Sequence, residues 1–176
     1  DIVADLKGGV YFTDPTGSAV YYVPRGGSII RVVEEGIKAP NGLQLSHDEK
    51  TLYVATRTAD TVVEIDTQKW AIRRTFKIEG QPVRLHILPG EKQMLVSLIV
   101  DGAMAVIDLK TGRETKRMKV GLNAEGMHID PQSNEGFVSA QGERRVVRFS
   151  LKTFEKNGVV ATQERPDPVL IWHSKN

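Results

Sequence analysis

Apolar and polar positions follow one another along this chain in short bursts, and the bursts recur. Thr51-Leu52-Tyr53-Val54-Ala55, Gln93-Met94-Leu95-Val96-Ser97 and Glu135-Gly136-Phe137-Val138-Ser139 are three versions of one run. Val, Ile, Tyr and Phe dominate such runs, and Gly, Asp, Pro and Lys fill the gaps, which reads as strands separated by tight turns. One unit predicts strands at 42–46, 51–56, 61–66 and 72–78; the next predicts them at 84–88, 93–98, 103–108 and 114–120. Third-strand endings match as well: Val63-Glu64-Ile65-Asp66, Ala105-Val106-Ile107-Asp108 and Val147-Arg148-Phe149-Ser150. No stretch predicts a helix. Turns such as Lys110-Thr111-Gly112 and Arg25-Gly26-Gly27 suit hairpins, because Gly accepts positive φ.

The repeat has a fixed step. Asn41, Val83, Glu125 and Asp167 lie 42 residues apart, each opening a first strand. Four strands in a unit of that length is the pattern of a β-propeller blade. A β-sandwich also has many short strands, but it requires no sequence repeat. The expected fold is therefore all-β: a single propeller region with blades at about 1–40, 41–81, 82–123 and 124–166, followed by a strand at 167–173. Closed propellers have about 4–8 blades. Four sits at the lower limit, so an arc of a larger ring, of six blades or more, or a ring completed by self-association, is favoured over a closed monomer. Open blade faces would leave apolar surface for such association.

Composition narrows the partners. The 176 residues carry 24 basic and 22 acidic side chains, a net charge of +2. Arg73-Arg74 and Arg144-Arg145 are isolated pairs, and no nucleic-acid partner is expected. No apolar stretch approaches the ~20 residues of a membrane-spanning helix, and no membrane partner is expected. With no cysteine, disulfides, thiolate metal sites and a cysteine nucleophile are excluded. Neither this nor the N-terminal segment, which lacks a signal-peptide shape, assigns a compartment. No serine-nucleophile motif, phosphate loop or dinucleotide fingerprint is present.

Candidate chemistry follows from the phase of the repeat. Inner strands of a propeller line its axis, so equivalent residues form a ring at one channel mouth. That ring reads Asn41, Val83, Glu125 and Asp167. Asn41, Glu125 and Asp167 offer oxygen donors suited to Ca²⁺ or another hard divalent cation. A metal there would polarise a lactone or ester carbonyl and activate water, with Glu125 or Asp167 as general base. The same residue types before Gly or Pro also shape turns. Three residues on, Gln44, His86 and His128 share a second phase. The two histidines read as channel-lining, substrate-binding groups, with metal binding or proton transfer as the other readings. Arg84 would bind an anionic substrate or cover a blade edge.

Two family resemblances are carried by specific residues. Gly8-Gly9-Val10-Tyr11-Phe12-Thr13-Asp14-Pro15, Val20-Tyr21-Tyr22-Val23 and Ala39-Pro40-Asn41-Gly42-Leu43-Gln44-Leu45-Ser46 resemble the senescence-marker-protein/gluconolactonase family over residues 1–55. From Leu52 onward, segments such as Val106-Ile107-Asp108-Leu109-Lys110-Thr111-Gly112 resemble YVTN-type propeller repeats. The first resemblance implies a six-bladed, calcium-dependent lactonase or related hydrolase with its metal at the channel mouth. In that family an Asn of Pro-Asn-Gly is a ligand, which Asn41 matches. The Asn of an Asn-Asp pair would fall one residue before Asp1. The Asp expected one blade after Asn41 is Val83 here, and Glu125-Gly126 is its nearest equivalent. The alternative to a metal-dependent hydrolase is a non-catalytic propeller that presents a ligand- or protein-binding face.

Overall fold

A computed structural model describes residues 1–33, 35–167 and 169–170. Among the described residues, sixteen strands form four four-stranded antiparallel sheets, each a simple meander. Sheet 1 holds β1 (Ile2–Ala4), β2 (Val10–Asp14), β3 (Ala19–Val23) and β4 (Ile30–Arg31). Sheet 2 holds β5 (Pro40–Leu45), β6 (Thr51–Thr56), β7 (Thr61–Asp66) and β8 (Ala71–Lys77). Sheet 3 holds β9 (Pro82–Ile87), β10 (Gln93–Leu98), β11 (Ala103–Asp108) and β12 (Arg113–Lys119). Sheet 4 holds β13 (Ala124–Asp130), β14 (Glu135–Ala140), β15 (Arg145–Ser150) and β16 (Lys156–Ala161).

The sheets are propeller blades packed face to face in chain order. β1 and β2 lie against β5, β5 and β6 against β9, and β9 and β10 against β13. The four blades make an unclosed arc. In blades 2 and 3 the second and third strands are covered on both faces, so β6 is buried at all six positions and reads as a near-continuous apolar run. The outermost β8 and β12 are mostly exposed.

The core is divided between the blades. Tyr11, Val20, Leu43, Val54 and Ile65 fill the gap between blades 1 and 2. Phe76, Leu85, Met94 and Val96 serve blades 2 and 3, and Leu95, Met104, Val138 and Phe149 serve blades 3 and 4. Arg74 adds a polar latch. Its Nε and Nη2 donate to Glu64 at 2.9 and 2.6 Å, and it also donates to the Leu109 and Lys110 carbonyls of the next blade at 2.8 and 3.0 Å.

The predicted central strands match those observed, while first strands begin two residues earlier than expected. The reason is a bulge. Register slips by one residue between Pro40 and Leu43, between Pro82 and Leu85, and between Ala124 and Met127. Pairing resumes on the far side, so each first strand reaches back to 40, 82 and 124. Two single-turn 3-10 helices, Arg57–Ala59 and Gln141–Glu143, stand where no helix was predicted. They close the hairpins that lead into β7 and β15, with Asp60 and Arg144 left-handed after them. Of the strand expected at 167–173, residues 168 and 171–173 lie outside the described residues, and 167, 169 and 170 carry no strand.

Candidate functional site at the channel mouth

The bulges decide which side chains reach the mouth. Each inserts one extra residue at 41–42, 83–84 and 125–126, bending the inner strand and re-aiming its side chains. Entry into each inner strand also follows one backbone pattern. Ala39, Gln81, Asn123 and Arg165 all have positive φ, between 41° and 58°. The Arg57, Ile99 and Gln141 amides donate to the first three of their carbonyls. Arg165 repeats the φ, which brings Asp167 in at the phase of Asn41 and Glu125.

Glycine follows the ring residue where the next blade passes close by. A Cβ on Gly42 would lie 2.4 Å from the Val83 carbonyl oxygen and 2.9 Å from Arg84 Cα. A Cβ on Gly126 would lie 2.1 Å from Asp167 Oδ1. The second strands supply hydroxyls at one phase. Thr13 Oγ1 donates to the Asn41 carbonyl at 2.9 Å, and the Arg84 amide donates to Ser97 Oγ at 3.1 Å. Ser139, in the same position of blade 4, has a buried Oγ with no hydrogen-bond partner among the described residues.

Blade 3 departs from the strict repeat. Val83, expected in the ring, is fully buried, and its neighbour Arg84 sends the side chain to the mouth. Arg84 Nη1 donates to Asn41 Oδ1 at 2.7 Å and to Asp1 Oδ2 at 3.3 Å. Its Nη2 lies 3.7 Å from Asp167 Oδ2. Glu125 is half-buried beside this cluster. Burial raises its pKa, and the nearby Asp167 charge raises it further, against the opposing charges of Arg84 and Arg57. Asp167 keeps one buried carboxylate oxygen, Oδ1, without a partner among the described residues.

The gluconolactonase resemblance raised by residues 1–55 extends further along the chain. The model of the SMP-30/gluconolactonase/LRE-like region matches residues 1–152. The chain belongs to this family. Lactonase drp35 of Staphylococcus saprophyticus is 42% identical over 72 residues, which cover 38% of this chain and 22% of that protein. The same protein of Staphylococcus aureus is 39% identical over 71 residues, 37% of this chain and 22% of its own length. The chain thus spans less than a quarter of the length of these curated relatives. Among solved structures, hydrazine synthase of Kuenenia stuttgartiensis superposes with a TM-score of 0.80 at 18% identity, over 90% of this chain and 47% of that one. Virginiamycin B lyase of Staphylococcus aureus gives 0.77 at 16% identity, over 92% and 55%. At these identities the likeness is one of fold.

The family's calcium can be tested against the donors in place. Asn41, Glu125, Asp167 and Asp1 are hard oxygen donors of the kind Ca²⁺ takes, but Ca²⁺ asks for about 6–8 of them. Asn41 Oδ1 already accepts from Arg84, whose guanidinium also faces both aspartates. Among the described residues, no three His, Asp or Glu side chains gather to hold a metal ion. As they stand, these side chains do not present a free cation site.

The second phase splits. Gln44 Oε1 accepts from the Ile87 amide at 2.7 Å, tying β5 to β9. His86 and His128 meet edge to face with ring centroids 6.0 Å apart. Burial, and then the His128 charge, push the His86 pKa down to about 4, and its Nδ1 is buried without a partner among the described residues. The pair sits further along the channel than the Arg84 cluster, since His86 follows Arg84 by two residues on β9 and His128 follows Glu125 by three on β13. Asp14 Oδ1 accepts from the Gly17 amide at 2.9 Å, a turn role. At the far ends of the inner strands a concavity of ≈ 650 Å³ is lined by Leu45, Ile87 and Ile129, and by Gln44, and contains no ring residue. Asp1, Thr13, Arg57 and Ser139 were missed as members of the mouth. The 42-residue step from Ser97 to Ser139 was the available signal for the hydroxyls.

Proposed function

We propose that this chain supplies part of a lactonase-type hydrolase site at the channel mouth, acting on a lactone or other ester. The observation that carries this reading is the meeting of Asn41, Arg84, Glu125 and Asp167 at one mouth in a chain of the gluconolactonase-like family. Glu125 is the general base. A carboxylate whose pKa is raised is a stronger base than an ordinary one. It takes a proton from water as the water oxygen bonds to the carbonyl carbon. The ring C–O bond then breaks, and Glu125 returns the proton to the leaving oxygen, giving the hydroxy acid. Arg84 polarises the carbonyl and bears the negative charge that develops on its oxygen. Asn41 and Asp167 hold the guanidinium for that task, and Asp167 also tunes Glu125. His86 and His128 line the channel beyond as substrate-binding groups.

The test is lactone hydrolysis followed by acid release. Glu125→Gln is expected to lower kcat by about 10²-fold or more, while Arg84→Met raises KM and lowers kcat. Hydrolysis that survives Glu125→Gln undiminished removes this mechanism. One observation favours a non-catalytic binding face instead: Arg84 is already engaged by Asn41, Asp1 and Asp167. On that reading no lactone is turned over, and ligand binding alone responds to changes at Arg84.

A further inference from the structure

We infer that the Arg84 guanidinium is a built-in replacement for a divalent cation at the channel mouth. Carboxylates reach the mouth from three segments without converging on one point: Asp1 and Asp167 face Arg84 together with the amide oxygen of Asn41, and Glu125 stands beside them within electrostatic reach of Asp167. Like-charged carboxylates brought together need a cation among them. Arg84 reaches two of the three, and Asn41, with one planar group: Asn41 Oδ1 at 2.7 Å, Asp1 Oδ2 at 3.3 Å and Asp167 Oδ2 at 3.7 Å. The side chain is 28% exposed, so the charge is largely withdrawn from water and held by these partners.

The local backbone builds this position. The bulge at 83–84 buries Val83 and turns Arg84 inward. The Ser97 hydroxyl fixes the Arg84 amide at 3.1 Å. Gly42 lets the Arg84 backbone approach to a distance that no side chain at 42 would allow. A guanidinium stays charged at all working pH values and offers several N–H donors in one plane. It therefore holds Asn41 Oδ1, Asp1 Oδ2 and Asp167 Oδ2 at every pH, and a divalent ion entering the ring meets a like charge and an occupied Asn41. Engaged donors and an electropositive centre are two independent reasons for the ring to refuse Ca²⁺. The inference concerns binding alone and stands whether or not the site hydrolyses lactones.

Calcium and terbium titrations of the whole chain test it, by calorimetry and by sensitised Tb³⁺ luminescence, with thermal melting in parallel. Wild type is expected to show no saturable binding up to the ~10⁻³ M range of weak protein calcium sites. Arg84→Met keeps an apolar stem and removes the charge; it is expected to gain saturable binding, at least about tenfold tighter than wild type, with a melting point that Ca²⁺ raises. Adding Asn41→Ala to that variant is expected to abolish the gain. If Arg84→Met folds only with Ca²⁺ present, calcium-dependent refolding is the same positive result. Two results overturn the inference: saturable Ca²⁺ binding to wild type that Arg84→Met fails to tighten, and no binding to either protein. Loss of lactone hydrolysis in Glu125→Gln leaves this test untouched, so the two readings fail separately.

Discussion

His86 lies in the channel with its Nδ1 buried and unpaired among the described residues, 6.0 Å ring to ring from His128. Protonating it costs desolvation first and repulsion from His128 second, which together push its pKa from 6.5 down to about 4. The unfolded chain binds this proton below pH 6.5 while the folded chain refuses it until about pH 4. Stability is therefore complete above pH 6.5 and declines as pH falls toward 4, by about 2–3 kcal/mol from this residue. Thermal melts between pH 4 and 7 should show the decline, and His86→Gln should flatten it relative to wild type. An equal slope in the variant would assign the acid sensitivity elsewhere. The same scale explains why Arg84 was legible only in part. Its charge was visible beside the ring position, but Val83 held the repeat phase, and a one-residue bulge decides which of the two faces the mouth.

At the scale of elements, the inner strands are shaped by close passage between blades. The Pro-Asn-Gly segment carries both ends of that arrangement: Asn41 faces Arg84, and Gly42 clears the backbone of β9. A methyl at Gly42 meets a carbonyl oxygen and a Cα on a paired strand, neither of which can swing aside. Gly42→Ala is expected to destabilise the chain by about 2–3 kcal/mol, read as a shifted denaturant midpoint. Gly90→Ala is the control. Gly90 has φ +86° and nothing within 4 Å of a new Cβ, so only the left-handed backbone is strained, at about 1 kcal/mol. Equal costs at the two sites would mean that the blades yield at Gly42. Strand positions were legible because burial on one or both faces writes itself into periodicity. Bulges and 3-10 turns were not, because each changes register by local hydrogen bonding without altering the apolar pattern.

The described residues form an arc, and its first blade shows what an arc leaves open. Val3, Tyr11, Val20 and Tyr22 turn toward blade 2. Ile2, Phe12 and Tyr21 share the opposite face through their pairing, with Ile2 67% exposed and the Phe12 and Tyr21 rings 5.3 Å apart. Apolar surface of this kind favours association. Sedimentation of the 176-residue chain is expected to show a mass above 19.5 kDa that rises with concentration. Phe12→Lys is expected to reduce it. A concentration-independent monomer would show that the open face is tolerated in water.

By itself the sequence determined the strand content, the 42-residue step, the four blades and the segment likeness to gluconolactonases. All of these follow from local burial patterns and turn chemistry repeated at fixed spacing. It also placed Asn41, Glu125 and Asp167 at one mouth, since equal phase means equal height in a propeller. Tertiary structure decided what those residues meet. Arg84, Asp1 and Asp167 come together across 83 residues of chain on either side, a contact that periodicity does not encode. Whether a ring of oxygen donors is open to a metal or closed by a guanidinium depends on side-chain direction at a single bulge, and that direction is fixed by packing between blades.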